Sequence, residues 1–386
     1  MKEDRGLSQS ISWIHLFCLL FSVVCPLFFN GCAFLIRRPS YSVKAPAGAE
    51  SPFRGVYHIH SEFSSDSKAS LRQVLKTGEK SKLDFVLLTD HNNMRAKEAY
   101  ELMKWPAEGG RPKQPLLITG IEISAPDGHM TAFGISEPPP KGMNSQDLID
   151  WIHQKGGYLV LAHPICQRRP WTNWEIQGFD GLEVYNFAHT FYPENKLTLT
   201  LKAMLFTPKM FLKHYQKINP SWRQKWDELL MTEKVSAFAA NDAHLHWKWL
   251  GIAPESYILQ FQSVNHYVFS EVFEERALLE ALGEGRSFFA FETRGEARDF
   301  QFRAEAGGKE FSMGEEVPGS RGEPATVRFL VSVPQDGELR LLHRGEIIAQ
   351  AEGRALTHSV EKPGAYRVEV YKKDKPWIIS NPIYVE

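Results

Sequence analysis

Short apolar runs that each end on a metal-ligating type of side chain constrain this chain most. Phe85-Val86-Leu87-Leu88-Thr89 runs into Asp90-His91-Asn92, and Tyr158-Leu159-Val160-Leu161-Ala162 ends at His163-Pro164. Leu116 to Thr119 leads to Gly120-Ile121-Glu122, Met130 to Ile135 follows Gly128-His129, Phe179 to Leu182 leads to Glu183, and Val235 to Ala240 leads to Asn241-Asp242-Ala243-His244. Continuous apolar strands of four to six residues suit a mostly parallel sheet covered on both faces. In α/β barrels, side chains at the C-terminal ends of such strands form the chemical rim. The expectation is therefore an α/β fold whose polar strand ends meet.

The first of these strands, Val56-Tyr57-His58-Ile59-His60-Ser61, carries a His-x-His pair. Residues two apart on a strand face the same side, so the two imidazoles are expected together, about 7 Å apart along the chain. Two neutral imidazoles on one face make half of a metal site. In all, six histidines (His58, His60, His91, His129, His163, His244) and four carboxylates (Asp66, Asp90, Glu122, Asp242) fall at or near these strands. Mixed imidazole and carboxylate donors suit Zn, Mn or Fe better than Ca or Mg, and the set exceeds what one tetrahedral ion uses. The remaining histidines weighed, His15, His153, His214, His343 and His358, do not follow a buried strand and read as structural.

Helices fill the intervals. Ser70 is placed to cap a helix with Leu71, Val74 and Leu75 at helical spacing, and Ser145 to Gln154 reads as another. Between Asn186 and Glu233 two stretches, around 194–216 and 221–231, read as helices rich in aromatics, including Phe206, Phe211, Tyr215, Trp222 and Trp226 with Phe191 ahead of them. Ordinary packing is the expected role of these aromatics, and a cover over the rim the alternative. A helix over Glu274 to Gly283 precedes a strand over Ser287 to Phe291. From about Asp299 the pattern changes to short alternating strands (Phe300–Arg303, Ala325–Val333, Glu338–Leu342, Tyr366–Tyr371) separated by Gly and Pro, as in a small antiparallel sandwich.

The 386 residues carry a formal net charge of -1, which gives no electrostatic reason to expect nucleic acid as a partner. Leu16 to Phe29 is an apolar run interrupted by Ser22 and Pro26, shorter than the roughly 20 residues of a spanning helix and suited to a signal segment. Phe29-Asn30-Gly31-Cys32 resembles a bacterial lipoprotein cleavage box, which places a lipid on Cys32; the competing reading is an uncleaved anchor running on to Arg37-Arg38. Either way the protein is expected to be exported and held at a membrane in the cell envelope. Cys166 is then the lone thiol of the mature chain, with no internal disulfide. The expected segments are a leader over 1–32, a Ser/Pro/Ala/Gly-rich tether over 33–52, a first domain over 53–295 and a β-sandwich over 296–386.

The ordered set His58-x-His60, Asp66, Thr89-Asp90-His91, Glu122, His129, His163-Pro164 and Asp242-x-His244 resembles the PHP (polymerase and histidinol phosphatase) family over about Val56 to Phe291. Gly120-Ile121-Glu122, Gly128-His129 and Ala281 to Arg286 are similar to a branch of metallohydrolases that includes carbamate-ester hydrolases. The resemblance implies a distorted seven-stranded (β/α) barrel holding two or three divalent ions. It implies His58, His60, Glu122 and Asp242 on the first ion, Glu122 with His129 and His163 on the second, and Asp66, His91 and His244 on the third. Where the family commonly has Asp two residues before the first His, and Gly after the Ser-Asp pair, this chain has Val56 and Ser67. Val56 removes an acceptor for an imidazole N–H.

The implied activity is hydrolysis of a small-molecule phosphate ester by hydroxide activated at the metal cluster. Arg168 and Arg169 are candidates for a substrate clamp, or else plain surface charge. Asp90, Glu183 and Asn186 are candidates to orient ligands. No general acid stands out, so the ions are expected to stabilise the leaving group unaided. Two alternatives stay open: carbamate or carboxylic ester hydrolysis on the same metals, and a surface-anchored binding protein with structural metals.

Overall fold

The computed structural model describes residues 51–103, 115–245, 256–319 and 326–386. The apolar leader, Cys32 and nearly all of the tether lie outside the described residues. Within them, no helix is long and apolar enough to cross a membrane.

Strand β1 (Phe53–Ile59) pairs in parallel with β2 (Phe85–Leu88), and β2 with β3 (Leu116–Thr119). At Gly120 the chain bends into β4 (Ile121–Ala125), which starts a second sheet. A Cβ at Gly120 would stand 2.4 Å from the Ala132 carbonyl oxygen, so only glycine permits this bend. The second sheet runs β4, β5 (Gly128–Phe133), β6 (Tyr158–Ala162), β7 (Gly181–Asn186), β8 (Ser236–Ala240), antiparallel for its first two pairings and parallel for the next two. Backbone hydrogen bonds join the two sheets at both ends. Gly120 N–H donates to Leu88 O at 2.7 Å and Glu122 N–H to Asp90 O at 3.2 Å; across the other seam, Asn241 N–H donates to Tyr57 O and His60 N–H to Ala243 O, both at 3.1 Å.

The helices follow local rules closely. Helix α1 (Leu71–Lys80) begins on a capping box: Gln73 N–H donates to Ser70 Oγ, and Ser70 N–H donates back to Gln73 Oε1. Between it and the next expected helix lies α2 (Arg95–Leu102), and α3 covers Ser145–Gln154 as expected. The aromatic-rich interval differs. Where two helices were expected there are four: α4 (Phe187–Phe191), α5 (Lys196–Leu205), α6 (Pro208–Tyr215) and α7 (Pro220–Leu229). Each has its own cap, from Asn186, Asn195, Thr207 and Asn219, and Pro208 and Pro220 sit where a proline can only start a helix. Phe211, Tyr215 and Trp226 are buried in one core cluster with residues of β7 and β8, which is the packing role, and Trp222 is buried too, donating its Nε1–H to Ile165 O.

After α8 (Tyr257–Phe261), β9 (Asn265–Val268) pairs antiparallel with the N-terminal half of β1, and beyond α9 (Glu275–Gly283), β10 (Ser287–Ala290) pairs with β9. The C-terminal strands are β11 (Gln301–Ala306), β12 (Lys309–Ser312), β13 (Glu316–Val317), β14 (Val327–His343), β15 (Glu346–Val360), β16 (Gly364–Lys372), β17 (Lys375–Ser380) and β18 (Ile383–Val385). They differ from the short strands expected of a separate sandwich. β14 and β15 form one long hairpin of 17 and 15 residues, because Pro334 to Asp336 is absorbed as a register shift between Ser332 and Gly337 and not as a break. The set is also continuous with the first sheet: β17 pairs with β10, so one sheet extends from β12 to β3. The outer edge of β10 would otherwise be an open row of backbone donors and acceptors.

Candidate metal centre

Glu122, on β4, is the hub. Its carboxylate is 1 % exposed and faces five imidazoles: Oε2 lies 3.2 Å from His58 Nε2, 3.3 Å from His60 Nε2 and 3.1 Å from His91 Nδ1, while Oε1 lies 2.7 Å from His129 Nδ1 and 3.2 Å from His163 Nε2. Two further carboxylates complete the cluster. Asp242 Oδ1 is 3.5 Å from His60 Nε2 and 3.2 Å from His244 Nδ1; Asp66 Oδ2 is 3.0 Å from His91 Nε2 and 3.3 Å from His244 Nε2. All nine side chains expected as ligands therefore meet at one place.

Backbone bending makes this convergence possible. The register of β1 on β2 shifts between Val56 and Ile59, and His58 sits there with φ of +62°. The bulge brings the His58 and His60 rings to 5.1 Å between centroids, closer than a flat strand's spacing. His163 (φ +32°) and Asp242 (φ +47°) are also in the left-handed region. Such conformations cost on the order of 1–3 kcal/mol each and persist where surrounding structure enforces them.

A ring of supporting contacts fixes the donors. His58 Nδ1 lies 2.6 Å from Glu183 Oε1, which sets the tautomer that leaves Nε2 a lone pair for the centre. The other Glu183 oxygen accepts from His163 N–H at 2.8 Å and from Asn186 Nδ2 at 3.0 Å. Asn186 Nδ2 also reaches Asp242 Oδ2 at 3.1 Å, and Asn186 Oδ1 caps α4 by accepting from His189 N–H. Asp90 stands back from the cluster, accepting Ser61 N–H (2.6 Å) and Ser61 Oγ–H (2.7 Å).

The electrostatics are those of carboxylates and imidazoles packed against one another out of water. Burial alone would raise the Glu122 and Asp242 carboxyls; His58 beside both, with His129 and His163 at Glu122 and His244 at Asp242, outweighs it and holds them well below the usual carboxylate range. Conversely, burial would lower His163, but Cys166 and Glu122 beside it lift it to about 10. Burial also works against His58, yet Glu183, Glu122 and Asp242 hold it well above the ordinary imidazole value. Four buried ring nitrogens, His58 Nε2, His60 Nε2, His91 Nδ1 and His129 Nδ1, have no aligned hydrogen-bond partner although carboxylate oxygens lie near. Buried polar atoms without partners are rare, and several facing one cluster fit ligation of cations. The donors fall into groups whose ligand atoms lie within 4.8 Å of one another: His58, His60 and Asp242; His60, Asp66, His91 and His244; His91, Glu122 and His129.

A fourth group of this kind, His163, Cys166 and His189, includes two residues that the sequence reading left out of the site. Cys166 Sγ is 3.7 Å from His163 Nδ1, and His189 Nε2 is 3.7 Å from Asp242 Oδ2. Neither stands directly at the end of an apolar strand: Cys166 comes two residues after the His163-Pro164 turn, and His189 lies three past the Asn186 cap. The two arginines separate. Arg169 Nη1 lies 3.0 Å from His129 Nε2 and its Nη2 donates to Ala125 O, whereas the Arg168 guanidinium sits 4.7 Å over the Tyr192 ring. The two neighbouring arginines thus meet different partners. Of the histidines read as structural, His15 lies outside the described residues, His153 pairs with Asp180 at 3.0 Å, and His343 Nε2 donates to Pro363 O.

Residues 57–204 match the family model of the PHP domain, so the chain carries a PHP domain there. That span includes all of the cluster except Asp242 and His244. An uncharacterised protein of Methanocaldococcus jannaschii is 29 % identical over 145 residues, 34 % of this chain and 81 % of that protein. A solved structure from Bifidobacterium adolescentis, of a protein provisionally described as a metal-dependent phosphoesterase, matches with a TM-score of 0.33 and 16 % identity over 54 % of this chain and 91 % of its own, too low a likeness to carry an inference.

Proposed function

We propose that this chain, built around a PHP domain, is a metal-dependent hydrolase that cleaves phosphate esters. The observation that carries the reading is the set of buried, unaligned imidazole nitrogens gathered around the Glu122 carboxylate. His58, His60, Glu122 and Asp242 would hold one divalent ion, Glu122, His129 and His163 a second, and Asp66, His91 and His244 a third. Zn, Mn or Fe suits these nitrogen and oxygen donors. Such ions, when bound, lower the pKa of water and neutralise charge on attacking and leaving oxygens.

The chain's own residues supply the rest. Glu183 holds the His58 ring in one tautomer, Asn186 steadies Asp242, and Asp90 pins the turn at Ser61 between the first two strands' ends. Arg169, beside His129, is the cation placed to meet a phosphoryl oxygen, and it favours a phosphate over an uncharged carbamate or carboxylic ester. The two sheets, tied at both seams, support reading residues 53–295 as a seven-stranded barrel with β3 and β4 as one bent strand. The β strands of 296–386 then flank it. We further propose export, with attachment to the membrane through the N-terminal segment.

The test is elemental analysis of the purified protein followed by an ester panel. With two or three equivalents of metal bound, p-nitrophenyl phosphate or its diester should be cleaved, activity should vanish with chelator, and it should return on adding Zn or Mn. Turnover of an aryl carbamate in place of both phosphates would replace the substrate assignment. A protein that holds no metal and cleaves no ester would end the hydrolase reading.

A further inference from the structure

Of the eight large apolar side chains exposed among the described residues, four fall on α5 and the start of α6: Leu197 (67 % exposed), Leu201 (48 %), Leu205 (76 %) and Met210 (52 %). The three leucines recur every fourth residue, so they form one stripe along α5. The opposite side is committed to the core, where Leu199 of α5 and Phe211 and Leu212 of α6 are buried. Lys202 ties the two helices side by side, its Nζ 3.2 Å from His214 Nε2 and 5.4 Å over the Tyr215 ring. Single exposed leucines are ordinary, but a spaced row of them on one helix marks a contact surface.

The charge around this row is of one sign. Residues 195–226 contain Lys196, Lys202, Lys209, Lys213, Lys217, Arg223 and Lys225 and not one Asp or Glu, in a chain whose totals nearly balance at 45 basic and 46 acidic residues. Lys202, Arg223 and Lys225 find carboxylates outside the run, in Glu194, Glu369 and Glu228. Lys209, Lys213 and Lys217 are exposed, and among the described residues no carboxylate pairs with them. Partial burial, and then Lys209, Arg294 and Lys373 beside it, push the Lys213 ammonium below its ordinary value. Cations from three segments of the chain thus crowd one place.

We propose that the face formed by α5 and α6 docks on an anionic lipid surface, with the leucine row entering the boundary between headgroups and acyl chains and the lysines meeting lipid phosphates. An apolar row with basic flanks on one helical face is what such docking requires. A protein partner fits less well, because lysine is depleted at protein–protein interfaces. A second copy meeting this face across a two-fold axis would bring like charges together. The inference deepens the proposed membrane attachment: the N-terminal segment would hold the chain at a bilayer, and this face would decide which side of the molecule meets it.

The test follows the full chain on vesicles of phosphatidylcholine alone and of equal parts phosphatidylcholine and phosphatidylglycerol, by flotation and by hydrogen exchange of the α5 and α6 amides. Exchange through α5 should be slower on the anionic vesicles than on the neutral ones by about tenfold or more. A Leu201→Glu/Leu205→Glu variant should lose that slowing, and Lys209→Ser and Lys213→Ser should each weaken the underlying vesicle affinity by about fivefold. All four side chains are exposed, so the substitutions spare the core, and melting curves check this. Equal slowing on both kinds of vesicle, or slowing that the leucine variant keeps, overturns the inference. Slowing that follows protein concentration without vesicles assigns the face to a second copy and overturns it as well. Exchange unmoved by vesicles on a chain that still floats overturns the docking face and leaves the N-terminal attachment standing. Flotation on anionic vesicles alone, lost in the leucine variant, supports the face and shows that the N-terminal attachment has failed. No flotation on either overturns both.

Discussion

At the scale of single residues, the site is organised by one carboxylate and one bulge. Glu122 alone touches five imidazoles, and only a left-handed His58 brings its ring to both Glu122 and Glu183. Glu183 makes a sharp test, because it contacts a ligand without facing the cluster itself. Glu183→Gln keeps shape and removes the charge that fixes the His58 N–H. Metal affinity should drop by about 10–100-fold with the fold preserved. Titration of the apo-protein with zinc, alongside circular dichroism, reads both, and unchanged affinity would show that Glu183 is only structural. The residue types and their order were legible in the sequence, since most of them sit at or beside the end of a strand. Cys166 and His189 were not, because neither follows an apolar run; they approach the cluster only through a turn and a short helix.

Among elements, local chemistry determined where helices start. Thr207 Oγ1 accepts from Met210 N–H ahead of Pro208, so Thr207→Ala should destabilise the protein by about 1 kcal/mol in urea unfolding. No loss would mean that α6 is held by packing alone. A second elemental contact joins sheets: His266 on β9 meets the backbone of Ala239 on β8 at 3.1 Å. Burial pushes this imidazole down to about 4, while the Ala239 backbone works the other way, and the rings around it, Tyr57, Phe238 and Phe289, bring no carboxylate. The folded form thus binds its proton only below about 4, and the unfolded chain binds one near 6.5. Stability from this group is complete above 6.5 and is lost as pH falls towards 4, by roughly 3 kcal/mol at most. His266→Gln should flatten that acid limb in a pH series of urea melts; an identical limb would remove His266 as its source.

For the whole molecule, the C-terminal strands brace α7 against β16. Glu369 on β16, 1 % exposed, accepts from Arg367 Nη2 and from Arg223 Nη1 of α7, each at 2.9 Å, and from the Tyr371 hydroxyl at 2.6 Å, while Arg367 also bonds Asp227 of α7. Glu369→Ala would leave two arginines short of a buried partner and should cost about 3–5 kcal/mol. A loss below about 1 kcal/mol would show that a hydrophobic contact carries this interface instead. Removal of residues 296–386 should yield aggregating protein, because it bares the edge of β10 and the faces of Tyr267 and Phe288 that those strands bury. A soluble, monomeric fragment on gel filtration would overturn that expectation.

By itself the sequence determined which side chains stand at the ends of buried strands, where helices are capped, and that the chemistry is that of imidazoles and carboxylates. Those properties are set within a few residues, by periodicity, caps and donor type. Only the tertiary structure decided that β1 bulges at His58, that Cys166 and His189 border the cluster, that Arg168 and Arg169 part, and that the C-terminal strands join the first sheet. Each of these depends on contacts between segments far apart in the chain, whose energies no local pattern records.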